Sequence, residues 1–210
     1  MSHLLTLSDA IATQARLNPA RLGARDSRRA LSYAQGDARA TGLAAGLLQA
    51  GLSKGDRVGL LAYNCVEWME IYVALARAGL VAVPLNFRLT AAEISYILGH
   101  SEATAVIAGG EFQATVDEIR AEQNLLDGRL VVMGREGRAG NGWVRYEDLI
   151  AGADAATPMP RVSPEDTCAL MYTSGTTGRP KGAVRSHAGS ALIALATALE
   201  FGFTRDDTEI

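Results

Sequence analysis

The stretch from Val58 to Pro84 constrains the fold more than any other part of the chain. An apolar run, Val58-Gly59-Leu60-Leu61-Ala62, is followed by Trp68, Ile71, Tyr72 and Leu75 at helical i, i+3, i+4 and i+7 spacing. The amphipathic segment ends near Gly79 and leads directly into Val81-Ala82-Val83, which Pro84 closes. Two apolar strands joined by a helix-length connection pair in parallel, because a hairpin needs only a short turn. The segment therefore predicts a βαβ unit, and with it an α/β fold of parallel strands covered by helices in layers.

The same rhythm runs along the rest of the chain. Thr6 to Leu17 predicts an opening helix, and Ser32 to Ala50 a second one, with Leu43, Leu47 and Leu48 on one face and Gly51 placed to stop it. Thr90 begins a helix carrying Ile94, Ile97 and Leu98, Thr104 to Ala108 reads as a short buried strand, and a weaker helix from Phe112 to Gln123 precedes a strand at Leu130 to Met133. GREGRAGNG, from Gly134 to Gly142, and Ala151 to Pro164, with prolines at 158, 160 and 164, read as surface connections where mobility is expected. Asp166 to Tyr172 is another strand, a Gly/Thr-rich loop follows, Ala183 to Arg185 returns as a strand, and Ser186 caps a helix through Phe201. No internal repeat is visible.

Bulk composition excludes several classes of function. The 210 residues are 48% hydrophobic and 20% charged, ordinary for a folded protein. Twenty Lys+Arg against 23 Asp+Glu give a net charge of −3, too near neutral for a field that holds nucleic acid or an anionic membrane. Any partner must be recognised at a local site. The longest uncharged stretch, Ser186 to Leu199, is shorter than a membrane-spanning helix needs, and the N-terminus lacks the basic region of an export signal. Cys65 and Cys168 are too few and too far apart for a disulfide framework or a zinc cluster, which reads as reduced thiols in a cytoplasmic protein.

Chemistry concentrates in one loop, Tyr172-Thr173-Ser174-Gly175-Thr176-Thr177-Gly178-Arg179-Pro180-Lys181-Gly182. Hydroxyl side chains, glycines and two cations follow a buried apolar strand. Glycines let the backbone approach an anion, hydroxyls and exposed N–H groups donate to phosphate oxygens, and a cation neutralises charge. This is the composition of a polyphosphate cradle. It is not a Walker A loop, because Arg179 and Pro180 separate the second glycine from Lys181 and Gly182 follows the lysine. Nor is it a dinucleotide fingerprint.

The string YTSGTTGRPKG resembles the phosphate-binding signature of the adenylate-forming (AMP-binding) superfamily, which includes acyl-CoA synthetases, peptide-synthetase adenylation domains and luciferases. Upstream, LSYAQGDARATGLAAGLLQAGLSKGDRVGLL and ALARAGLVAVPLNFRLTAAEISYIL are similar to earlier blocks of the same fold, the second in its acyl-CoA synthetase wording. The resemblance covers the chain from about Leu7 to the end. It implies that residues 1–210 form the N-terminal part of the large AMP-binding domain, with 173–182 as the phosphate-binding loop. It further implies that Thr173, Ser174, Gly175, Thr176, Thr177 and Gly178 wrap the β- and γ-phosphates of ATP, with Lys181 stabilising the charge of the leaving pyrophosphate and Thr173 near Mg²⁺. Displacement at the α-phosphorus by a carboxylate needs the departing group held and neutralised, which is what such a loop offers.

The other candidates carry two readings each. His187, in RSHAGS, either lines the site or is a satisfied histidine at a helix start. Arg179 and Arg185 add positive potential at the loop or are simply solvated. Asn86 and Arg88 fix a strand-to-helix turn, and Trp68, Met69 and Tyr72 belong to the core. Neither cysteine has a base nearby in sequence, so neither is assigned as a nucleophile.

Relative to the superfamily the chain is short. The downstream ribose-binding motif, the glutamate that completes the Mg²⁺ site, the hinge acidic residue and the C-terminal catalytic lysine are absent. After Phe201 the chain runs through a polar turn into Thr208-Glu209-Ile210, which reads as the approach to a strand, or as a frayed natural terminus. The expected parent is an AMP-forming acid:CoA ligase, with ATP, Mg²⁺, CoA and a fatty or aryl carboxylic acid as its reaction components, and the chain alone is expected to be inactive and prone to homodimerise. A carrier-protein-loading adenylation domain is the alternative enzyme, and a non-catalytic nucleotide-binding module the alternative if the fragment is itself the mature product.

Overall fold

A computed structural model describes residues 6–123, 125, 128–134, 136–173, 179–204 and 207–208. Most of the phosphate-loop residues, Ser174, Gly175, Thr176, Thr177 and Gly178, therefore lie outside the described residues, as do two of the three residues in the terminal Thr208-Glu209-Ile210.

The expected βαβ unit is present. Strand β3 (Arg57–Leu61) leads through α3 (Glu67–Ala78) into β4 (Val81–Pro84), and the two strands pair in parallel from Arg57↔Val81 to Leu60↔Pro84. Gly79 ends α3 in the left-handed conformation at φ 66°, which a residue without Cβ adopts freely. Helix α4 (Ala91–His100) then crosses back to β5 (Ala103–Gly109), which pairs with β3 on its other side. Thr90 caps α4 in a reciprocal capping box with Glu93. The segment from Gly110 to Glu122 is two short 3₁₀ turns around α5 (Gln113–Ile119), followed by β6 (Leu130–Met133).

The main sheet has seven strands in the order β7-β6-β5-β3-β4-β8-β9. Strands β3 to β8 run parallel, β8 (Thr167–Thr173) lies beside β4, and the edge strand β9 (Lys181–Ser186) departs from the expected parallel pattern by returning antiparallel to β8. The physical reason is the connection: the short loop between Thr173 and Lys181 permits a hairpin and no crossover. Helix α7 (His187–Phe201) follows, with Ser186 as its cap.

Helices α1 (Leu7–Leu17), α2 (Tyr33–Gln49) and α3 pack with α6 (Tyr146–Ala151) on one face of the sheet, while α4 and α5 cover the other. Close approach of α6 to α2 needs glycine: a Cβ on Gly46 would sit 2.6 Å from the Leu149 carbonyl oxygen. Glu70, fully buried on α3, ties this layer together by accepting from Arg29, Arg39 and the Tyr146 hydroxyl.

Two expectations change here. Trp68, Met69 and Tyr72 are half-buried rather than central, because α3 turns its Ile71 and Leu75 face to the sheet. The connections at 134–142 and 151–164, expected to be surface loops, are held by hydrogen bonds at several described residues. The Gln113 amide bonds both the N–H and the carbonyl of Arg138, at 3.1 and 2.8 Å, Gln49 reaches Thr157 at 2.6 Å, and Lys54 Nζ donates to the Arg161 carbonyl. Among the described residues no helix is long and apolar enough to cross a membrane.

Candidate functional site

Strands β3 to β8 all end at one edge of the sheet, and the chemistry gathers there. Strand β8 delivers Thr173 to that edge and β9 departs from it at Lys181, the two residues standing opposite each other in the antiparallel register. Both side chains are exposed, and neither has a hydrogen-bond or ion-pair partner among the described residues. A hydroxyl and an ammonium, each without a partner among the described residues, therefore face each other across the two stems of the loop. For a divalent cation Thr173 supplies one neutral oxygen, and among the described residues no three His, Cys, Asp or Glu side chains converge as a metal site.

The stems of the loop are packed against α4. Tyr172 lays its ring across Gly182, where a Cβ would approach the ring carbon Cζ to 3.1 Å, and its hydroxyl lies 2.7 Å from His100 Nδ1. Burial, with the neighbouring Tyr96, raises the Tyr172 phenol above its ordinary pKa. On the other stem the Arg179 guanidinium sits 5.6 Å from the centroid of the Tyr96 ring. Arg179 is exposed to solvent on its outer side and rests over that ring. Arg185 is half-buried and lines a small cavity with Tyr72, Cys168 and Ser190.

His187 stands at the other end of β8. Its main-chain N–H donates to the Asp166 carbonyl, Leu7 N–H approaches Nδ1 at 3.5 Å, and the ring is 1% exposed with Nε2 unpartnered. With a rise of about 3.3 Å per strand residue, the length of β8 separates it from Thr173 by roughly 20 Å. The structure therefore brings Thr173 and Lys181 together and leaves His187 apart. Desolvation lowers the His187 pKa, against the pull of Asp166 and Asp9.

A second feature on the carboxyl edge was not legible in the sequence. The connection from β3 runs toward β4 and that from β5 toward β6, so the chain parts between adjacent strands, the position where open α/β sheets form their crevice. A cavity of about 210 Å³ opens there, lined by Asp26, Arg28, Tyr63, Glu67, Gly109 and Gly134 among others. Asp26 accepts from the main-chain N–H groups of Arg28, Arg29 and Val66, which holds the β1 (Leu22–Arg25) and β2 (Ala30–Ser32) hairpin to the start of α3. Tyr63, Phe87 and Phe112 form an aromatic group on the same edge, with ring centroids 4.8 and 5.0 Å from Tyr63. Only the strand order reveals this convergence.

The remaining candidates have structural roles. Asn86 Oδ1 accepts from the Arg88 N–H and closes the turn after β4, as expected. Cys65 is half-buried, and burial with the neighbouring Glu67 carboxylate pushes its thiol up to about 12, far from a nucleophilic thiolate. Cys168 is buried, with Sγ 3.3 Å from Ser190 Oγ.

Comparison with known proteins agrees with this geometry. The AMP-binding enzyme family matches residues 11–209. Long-chain-fatty-acid–CoA ligase FadD13 of Mycobacterium tuberculosis is 38% identical over 160 residues, 75% of this chain and 30% of that protein. Feruloyl-CoA synthase of an Amycolatopsis species is 38% identical over 174 residues, 83% of this chain and 32% of that protein. The crystal structure of the anthranilate CoA ligase AuaEII in complex with anthranoyl-AMP superposes with a TM-score of 0.83 at 27% identity, over 90% of this chain and 36% of that one. The chain spans about a third of the length of the curated relatives it matches. The phosphate-type loop on a parallel sheet, the strand order and a family match over nearly every residue lead to one conclusion: the chain belongs to the AMP-binding, adenylate-forming enzymes.

Proposed function

We propose that this chain is the N-terminal part of an ATP-dependent acid:CoA ligase. The enzyme activates a carboxylic acid as an acyl-adenylate with release of pyrophosphate, then transfers the acyl group to CoA and releases AMP. The observation that carries this reading is the loop 173–182, whose two described ends, Thr173 and Lys181, present a hydroxyl and a cation without partners among the described residues, opposite each other at the carboxyl edge of a parallel sheet. The relatives' names, long-chain-fatty-acid–CoA ligase and feruloyl-CoA synthase, and the anthranoyl-AMP bound to the anthranilate CoA ligase, support the same chemistry.

In this reading a carboxylate oxygen of the acid attacks the α-phosphorus of ATP and the bond to the β-phosphate oxygen breaks. Negative charge develops on the departing pyrophosphate. Lys181 and the donors of 173–178 hold and neutralise that charge, and donors set in place for developing charge lower a barrier of this kind. Mg²⁺ bound with the nucleotide would share the same neutralisation. Thr173 would lie beside it, as one neutral ligand among others supplied by substrate phosphates and water.

Acid-dependent exchange of labelled pyrophosphate into ATP tests the first half-reaction, with short, medium, long and aromatic acids and the full-length enzyme. Exchange with at least one acid class is the expected result. A folded enzyme that exchanges with none of them would end the ligase reading. Consumption of free CoA tests the second half, and an enzyme that forms acyl-adenylate but ignores free CoA would belong with the carrier-loading domains instead.

A further inference from the structure

We propose that helix α4 latches both stems of the phosphate loop, with Tyr96 and His100 as positioning residues that set where Thr173 and Lys181 stand. The proposal rests on reading residues 173–182 as the phosphate-binding loop. Tyr96 and His100 are four residues apart on α4 and so project from one face of the helix, with ring centroids 5.5 Å apart. Each takes one stem. His100 meets Tyr172 edge-on at 5.7 Å and shares the 2.7 Å hydrogen bond with its hydroxyl. Tyr96 carries the Arg179 guanidinium over its ring. The result is a chain of contacts, Arg179–Tyr96–His100–Tyr172, that joins the stem after Gly178 to the stem before Thr173.

Chemical logic explains why such a latch is useful. A loop rich in glycine loses much conformational freedom when it wraps an anion, and that cost weakens binding unless the ends are already fixed. Gly182 lets the Tyr172 ring lie flat across β9, so one side chain clamps both strands of the hairpin. Arg179 is thereby drawn sideways onto α4 and leaves Lys181 as the cation at the mouth. The capping box at Thr90 and buried Ile94, Ile97 and Leu98 hold α4 against the sheet, so the latch is anchored in the core.

The test compares Tyr96→Leu, Tyr96→Phe, Arg179→Ala and the double variant Tyr96→Leu/Arg179→Ala in the active enzyme. Tyr96→Leu and Arg179→Ala should each raise the KM for ATP by about 3- to 10-fold, the size of one cation–π contact and its neighbours, while the KM for the acid stays unchanged. The double variant should be no worse than either single one, and Tyr96→Phe, which keeps the ring face, should behave as wild type. Additive losses would mean that Arg179 acts on phosphate without Tyr96, which overturns the latch. A second readout needs no activity: trypsin should cut after Lys181 several-fold faster in Tyr96→Leu than in wild type or Tyr96→Phe. Equal cleavage rates overturn the proposal. A wild type silent in pyrophosphate exchange would sink the ligase reading while cleavage still judges the latch. Should Tyr96→Leu fail to fold, Tyr172→Phe removes the His100 hydrogen bond at an otherwise unchanged ring, and the same two readouts apply.

Discussion

Desolvation holds the His187 imidazole below its ordinary pKa of 6.5, and this has a consequence for stability. The unfolded chain takes up the proton at the ordinary value, whereas the folded one takes it up only at lower pH. Between the two values the unfolded state binds more protons, so the His187 contribution is complete above pH 6.5 and is lost as pH falls toward the folded value. Thermal melting between pH 7.5 and 5.5 should show this loss, with a slope from this one group of at most about 1.4 kcal/mol per pH unit. The slope should flatten in His187→Gln, and an identical slope in the variant would remove His187 as its source. Lys181 is the complementary case, an exposed charge with no folded-state partner among the described residues. Lys181→Ala should therefore leave the melting temperature unchanged and lower the rate of pyrophosphate exchange by ~10²–10³-fold, the range for one preorganised electrostatic contact. A variant that melts earlier and exchanges normally would assign Lys181 to structure instead.

At the scale of elements, Glu70 links α3, α2, α6 and the β1–β2 hairpin through one buried carboxylate. Removing it leaves Arg29 and Arg39 without their buried partner, with the half-exposed Glu147 as the carboxylate they still share, and the Tyr146 hydroxyl without its acceptor. Glu70→Ala should cost about 3–5 kcal/mol in denaturant unfolding, as for other broken buried pairs. A loss below about 1 kcal/mol would show that the neighbouring Glu147 takes over the arginines. None of this network was legible in the sequence, because its partners lie up to 108 residues apart, as with Arg39 and Glu147. The helices and central strands were legible, since each carries its own apolar period and its own cap: Thr6, Ser32, Thr90 and Ser186 all accept at the helix starts that they were expected to begin. The elements that escaped are short. Strands β1 and β2, in the arginine-rich RLGARDSRRALS, have no apolar alternation, and β7 (Trp143–Arg145) spans three residues before α6. Composition singled out the Gly/Thr-rich loop as a candidate, yet the destination of Arg179 is a tertiary fact: Tyr96 lies 83 positions upstream, where nothing local marks it as a partner.

For the whole molecule, the unequal coverage of α7 matters most. Leu192, Leu195, Leu199 and Phe201 are 67, 58, 84 and 71% exposed, and Val184 on the adjoining edge strand is 68% exposed. Exposed large apolar side chains concentrated on one helix, with Leu192, Leu195 and Leu199 at i, i+3 and i+7 spacing on one face, make a docking surface or an aggregation surface. The 210-residue chain produced by itself should sediment as a concentration-dependent mixture, and Leu195→Lys with Leu199→Lys should shift it toward monomer. Monodisperse behaviour at all concentrations would show that water tolerates the face.

The position of β4 has a consequence in time as well as in space. It is an interior strand only because β8 lies beside it, and β8 is made much later in the chain. A ribosome adding about 5–20 residues per second needs roughly 4–16 s for the ~80 residues in between. Throughout that interval β4 keeps one side unpaired, in addition to the open edge on the opposite side of the growing sheet. Its brevity, four residues ending in a proline with no N–H to offer, limits what a neighbouring chain can grip. Ribosome-stalled chains ending before Thr167 should crosslink to chaperones more strongly than chains that have released Ser186, and equal crosslinking would show that the edge is shielded by other means.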